Sequence, residues 1–132
     1  LQRLHGSSGA GVITKSVLKL PVLSMDFSSG SRFDGEVDID DLATDQSSGS
    51  EISITGKVGK LKVEVSSGSV FKGFDLTSDY CDAKASSGGG ARVTVSKELA
   101  AKASSGGGVR YKGAAVIRDL NVSSGGVVKK AD

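Results

Sequence analysis

Residues 47–68 read Ser-Ser-Gly-Ser-Glu-Ile-Ser-Ile-Thr-Gly-Lys-Val-Gly-Lys-Leu-Lys-Val-Glu-Val-Ser-Ser-Gly, and the pattern in this stretch predicts the fold. The stretch begins and ends on the same tripeptide, and apolar residues alternate with polar ones over 51–55 and again over 61–65. Alternation with a period of two is typical of a strand that buries one face. A helix is a poor alternative, because serine and glycine interrupt every run long enough to form one.

The tripeptide Ser-Ser-Gly recurs seven times in the 132 residues, at intervals of 18 to 21 residues. Gly and Ser together supply 41 of the 132 residues, a share that without a period would indicate a low-complexity segment. With this period it predicts a solenoid, in which each coil buries its apolar face by stacking on its neighbours. The interval between the first copy and the second is the longest, so the first copy is the least regular member of the repeat. We expect the other six copies to form structural corners, centred on Gly30, Gly49, Gly68, Gly88, Gly106 and Gly125.

Aligned on the corner glycine, the apolar residues fall into columns. The column three residues after it contains Val12, Phe33, Ile52, Phe71, Ala91, Val109 and Val128. Similar columns stand three, five and seven residues before it, and the polar residues that interrupt them are Thr44, Gln46 and Arg118. Hairpins would favour Asn-Gly or Asp-Gly turns, and none of the seven corners contains either dipeptide. Parallel coils instead stack equivalent positions at about 4.8 Å, so each column keeps one chemical character.

These columns predict an all-β fold, a parallel β-solenoid of about six to seven coils with two short strands in each. We expect a single domain over residues 1–132, with a less regular N-terminal portion over 1–22 and the repeat block over 23–130.

The repeats resemble those of a known family, the putative auto-transporter adhesin, head GIN domain family of Gram-negative bacteria. The resemblance rests on the pattern of residues 47–68, on Leu20-Pro21-Val22-Leu23 before the repeats, and on the ending from Val109 to the basic tail. It covers roughly residues 17–130. It implies a right-handed, single-stranded β-helix that is exported to the periplasm or cell surface, and it brings no catalytic residues.

The sequence contains few residues that could carry catalysis or bind a metal. It has one His, His5, and one Cys, Cys81, and Cys81 stands in the column of Leu42 and Leu61, where a small buried residue is expected. A corner role explains every Ser-Ser-Gly at once, so none of these serines is a candidate nucleophile. The acidic run over 34–41 lacks the order of known calcium loops. We therefore expect no catalytic residue, no metal and no cofactor.

Charge is distributed unevenly along the chain, although its net value is only +2. Residues 26–51 contain eight acidic residues and one basic one, whereas residues 84–130 contain nine basic residues and two acidic ones. Four residues after the corner glycine stand the candidate ligand-binding residues Lys72, Arg92, Arg110 and Lys129. A stack of like charge serves solubility and edge protection, or it binds an anionic surface.

The leading hypothesis is a non-enzymatic, exported surface or cell-envelope module, an adhesin that binds through stacked outward columns. Its partner would be an extracellular glycan or a host or cell-envelope protein. Assembly into a homo-oligomer is also possible. The few aromatic residues argue against nucleic acid as a ligand. The alternative is a glycan-binding or glycan-processing β-helix protein, since that architecture also hosts polysaccharide lyases and hydrolases. A weaker alternative uses the serine ladder as an ice-binding array.

Overall fold

The computed structural model describes residues 2–6, 9, 11–13, 17–113, 116–123 and 125–130, and for residues 2–6 it describes the backbone. Every regular element in these residues is a β-strand. In chain order the strands are β1 Gln2–Gly6, β2 Gly11–Ile13, β3 Leu18–Phe27, β4 Arg32–Gln46, β5 Glu51–Val65, β6 Val70–Ala85, β7 Gly90–Ala103, β8 Gly108–Lys112, β9 Val116–Val122 and β10 Val127–Lys130.

All strand pairs of the described chain are parallel, and the order along the sheet is β1-β3-β4-β5-β6-β7-β8-β10, with β2 on β4 and β9 on β7. Each strand pairs with the strand one repeat away, so residues at the same distance from the corner glycine stand side by side. Phe33, for example, lies opposite Ile52, and Ile52 lies opposite Phe71. The predicted β-solenoid is therefore confirmed, with about 6 coils.

The four central strands are longer than the sequence pattern predicts. β4 to β7 have 14 to 16 residues, and each runs from one corner to the next. The prediction of two short strands per coil is wrong for these coils and holds for the last one, which is divided into β8 and β9. Within β5 the buried residues have even numbers up to Val58 and odd numbers from Leu61 onward. The chain thus turns inside a continuous ladder, and inward side chains stay inward after the turn.

The Ser-Ser-Gly corners are tight turns with two consecutive residues in the left-handed region. In the corner at 28–31, Ser29 has φ 56° and Gly30 has φ 76°, and the amide of Ser31 donates to the carbonyl of Ser28 at 3.2 Å. The glycines Gly30, Gly49, Gly68, Gly88, Gly106 and Gly125 all have φ between 76° and 82°. Two positive φ values with this hydrogen bond are typical of a type I′ turn. In five of the described corners the serine before the glycine also has a positive φ, of 50° to 57°.

The inward columns form one core between the faces of the coil. Side chains of different size share a column: Phe71 is 0% exposed and lies opposite Ile52 on one side and Ala91 on the other. Phe27 and Phe33 pack edge to face, with ring centroids 6.0 Å apart. This close filling is what makes neighbouring coils depend on each other.

The polar residues in the apolar columns are accommodated in two ways. Thr44 and Gln46 stay in register and are buried, and the Nε2 of Gln46 donates to the carbonyl of Val70 at 2.7 Å. Arg118 does not occupy the column position that the alignment predicted. The pairing of β7 with β9 shifts by one residue, so that Ile117 lies opposite Leu99 and the Arg118 side chain, 60% exposed, points outward. Burying an arginine charge is costly, and one extra residue in β9 avoids it.

Candidate functional site: a stacked basic column

The four predicted basic residues stand on four neighbouring strands. Lys72 on β6 lies opposite Arg92 on β7, which lies opposite Arg110 on β8, which in turn lies opposite Lys129 on β10. All four side chains are exposed. Adjacent strands are about 4.8 Å apart, so these residues form a straight row of positive charge along the solenoid axis. We call this row the basic column.

The centre of the basic column is open on one flank. The positions two residues earlier on the same face of β7 and β8 are glycines, Gly90 beside Arg92 and Gly108 beside Arg110. A glycine there leaves the guanidinium groups accessible from that side. On the other flank, Lys112 follows Arg110 on the same face of β8, with its Nζ 4.5 Å from the centroid of the Phe74 ring. Lys112 was not among the residues predicted from the sequence, although its place two residues after Arg110 indicates the same face of the strand.

Within the described residues, one acidic side chain, Glu51, forms a salt bridge with the basic column, at the column's N-terminal end. Glu51 accepts a hydrogen bond from the Nζ of Lys72 at 2.8 Å, and its other oxygen is 3.4 Å from the Nη2 of Arg32. The hydrogen bond from Lys72 lowers the pKa of Glu51, which stays ionised. Within the described residues, Arg92 and Arg110 form no salt bridge. Lys72 is therefore partly neutralised, whereas Arg92 and Arg110 are not.

A second stacked column shows that charge changes sign along the axis. Asp26, Asp45 and Glu64 are followed in the same register by Lys84 and Lys102. Partial burial raises the pKa of Asp45, and the negative charges of Glu64 and Asp26 raise it further. The acidic half of this column is therefore under electrostatic repulsion, as like charges on opposing strand positions are.

We expect the Glu64→Gln substitution to lower the pKa of Asp45 toward its ordinary value of 3.8, because the like charge with the larger effect on that pKa is removed. A carboxyl group with a raised pKa binds its proton more tightly in the folded state, so its ionisation destabilises the fold above the raised pKa. That penalty disappears as the pH falls below 3.8. An NMR titration of the Asp45 carboxyl measures the shift, and the distant Glu51→Gln variant is the control. An unchanged Asp45 pKa in Glu64→Gln would contradict the expectation.

In the part of the chain that the structure describes, no group of three or more His, Cys, Asp or Glu residues is arranged to hold a metal ion. Cys81 is buried in the core, and burial raises the pKa of its thiol. Among these residues, no helix is long and apolar enough to span a membrane.

Comparison with known proteins agrees with the architecture. The family model described as "Putative auto-transporter adhesin, head GIN domain" matches residues 1–115. No curated protein matches the chain.

Three solved structures share the fold. A putative adhesin from Parabacteroides merdae superposes with a TM-score of 0.87 at 18% identity over 98% of this chain and 57% of that one. A putative adhesin from Bacteroides fragilis gives 0.80 at 15% identity over 92% and 56%. A putative lipid binding protein from Parabacteroides distasonis gives 0.76 at 18% identity over 99% and 56%. The chain thus spans little more than half the length of each, and at these identities the likeness shows the fold alone.

Proposed function

The chain belongs to the putative auto-transporter adhesin, head GIN domain family, and from this premise we propose that it is a non-enzymatic binding module. It is exported to the cell envelope, at the cell surface, the outer membrane or the periplasm. Its ligand is a linear anionic glycan, held by the basic column. The adhesin name of the family and of two structural relatives supports a role in surface attachment.

The observation that carries this proposal is the row of Arg92 and Arg110 without acidic partners among the described residues, next to Gly90 and Gly108. Arginine presents a rigid fork of donors that fits carboxylate and sulfate-like groups. Because the charges repeat at the strand spacing of about 4.8 Å, they suit a ligand whose negative charges also repeat along a line. A linear anionic polysaccharide has that character.

We expect the double substitution Arg92→Glu/Arg110→Glu to weaken binding to a sulfated linear polysaccharide, heparin, by about tenfold or more, because attraction becomes repulsion at the centre of the column. Wild-type binding should weaken as salt is raised, since exposed charges are screened. Calorimetry or surface plasmon resonance at two salt concentrations measures both effects.

The matched control is Lys84→Glu/Lys102→Glu, which makes the same change of net charge at two residues that lie side by side on β6 and β7, in the second column. This variant should bind heparin nearly as well as the wild type. Equal losses in both variants would show that net charge alone acts, and would remove the basic column as a site. Stronger binding to anionic lipid vesicles than to heparin would assign the column to a membrane surface instead.

A further inference from the structure

An open groove of about 780 Å³ runs along the solenoid axis, separate from the basic column. Its wall follows the strand positions eight residues before the corner glycine. Val22, Asp41, Lys60, Tyr80 and Glu98 stand there in register on β3 to β7. Four strand spacings of about 4.8 Å make the row about 19 Å long. None of the basic-column residues lines this groove.

Tyr80 is the aromatic residue of this wall. It lies on β6 between Lys60 on β5 and Glu98 on β7, and it is 40% exposed. The Nζ of Lys97 lies over the Tyr80 ring, 5.8 Å from its centroid, so the tyrosine offers its other ring face and its hydroxyl to a ligand. Small residues from the position six before the glycine, Ser24 on β3 and Ala43 on β4, also line the groove, at the end away from Glu98.

The charges of the groove are balanced. Its six charged residues are three acids and three bases: Asp41, Lys60, Lys62, Asp82, Glu98 and Arg118. They occur as neighbouring opposite pairs, with Asp41 opposite Lys60, Lys62 opposite Asp82, and Glu98 3.8 Å from Arg118. A polyanion or polycation would meet a repelling group beside each attracting one.

We infer that this groove binds a neutral linear oligosaccharide, with one sugar ring stacked on Tyr80. Sugar hydroxyls both donate and accept hydrogen bonds, so they can pair with carboxylates and ammonium groups in alternation. The apolar face of a pyranose ring suits the tyrosine ring. Recognition by a few placed polar groups around an apolar contact is the usual design of a small-molecule site. The inference does not depend on the basic column.

The test uses the tyrosines themselves. The chain has two tyrosines, Tyr80 and Tyr111, and no tryptophan. In a Tyr111→Phe variant all tyrosine fluorescence therefore comes from Tyr80. This variant is titrated with three neutral hexasaccharides (cellohexaose, mannohexaose and xylohexaose) and with hexagalacturonate as the anionic counterpart.

We expect at least one neutral hexasaccharide to change the fluorescence saturably, and to bind more tightly than hexagalacturonate. Calorimetry on the otherwise wild-type chain should show a loss of roughly tenfold in affinity for Tyr80→Ala, from the missing stacking contact. Asp82→Ala, at an exposed groove residue, should cost roughly threefold, and it provides the test if Tyr80→Ala does not fold. Arg92→Glu/Arg110→Glu should bind the neutral sugar as the wild type does.

Three results would overturn the inference. One is the absence of a saturable response to all three neutral hexasaccharides at millimolar concentration. Another is unchanged affinity in folded Tyr80→Ala, or in Asp82→Ala if that is the folded variant. The third is tighter binding of hexagalacturonate in the groove. Failure of the heparin test would leave each of these results unaffected, so the two sites are tested separately.

Discussion

Replacing Gly56 with alanine is expected to destabilise the protein by about 3–5 kcal/mol, a large part of the stability of a domain of this size. Gly56 has φ 116°, a backbone conformation that residues with a side chain rarely adopt. An added Cβ would also overlap the carbonyl oxygen of Val37 on the neighbouring strand. Because Val37 and Gly56 are paired in the ladder of β4 and β5, neither backbone can move away without breaking the pairing.

Denaturant unfolding measures this effect, with Gly90→Ala as the matched control. Gly90 also lies in a central strand, but its φ is not positive and no atom lies within 4 Å of an added Cβ. Its substitution should change the free energy of unfolding by less than about 0.5 kcal/mol. If both variants unfold at the same denaturant concentration, the close approach at Gly56 is not a constraint on the fold.

The substitution Phe71→Ala is expected to cost about 3–5 kcal/mol, because it removes a fully buried ring and leaves a cavity in the core. The side chain is 0% exposed and fills the column between Ile52 and Ala91. Ala91 is too small to fill the space, and a solenoid core has no second layer that could collapse into it. The loss should therefore lie near the upper end for such changes.

Phe74→Ala is the control for Phe71→Ala, since both residues are phenylalanines of β6. Phe74 is only half-buried and contacts the Lys112 ammonium at 4.5 Å from the ring centroid. Its removal should cost about 1 kcal/mol, from the cation–π contact and partial burial. Equal losses at the two positions, measured by thermal or denaturant unfolding, would contradict the assignment of the Phe71 column to the core.

The register of the coils could be predicted because each coil restarts at the same corner. Counting from Gly68, Gly88 and Gly106 places Lys72, Arg92 and Arg110 four residues later, and the structure puts them side by side. The count fails at Arg118, because the alignment assumed equal spacing where β9 contains an extra residue relative to β7. Nothing in the local pattern distinguishes an inserted residue from a polar residue in the core.

The functional surfaces were harder to predict than the ladder. The pairing of Glu51 with Lys72 joins residues 21 positions apart on neighbouring strands, and so depends on side-chain direction as well as register. The groove was missed although its wall also has a constant distance from the corner glycine. Its residues have mixed character, so they form no column of one chemical type.

The sequence alone therefore determined the solenoid, its period and its columns, because alternation and corner turns are local features that repeat. Only the tertiary structure decided where each coil turns inside its ladder, which charges are neutralised and where a groove opens. These depend on contacts between coils about twenty residues apart, such as Gly56 against Val37 and Glu98 against Arg118. Such contacts are set by how the closed coil stacks, and a one-dimensional pattern does not contain that geometry.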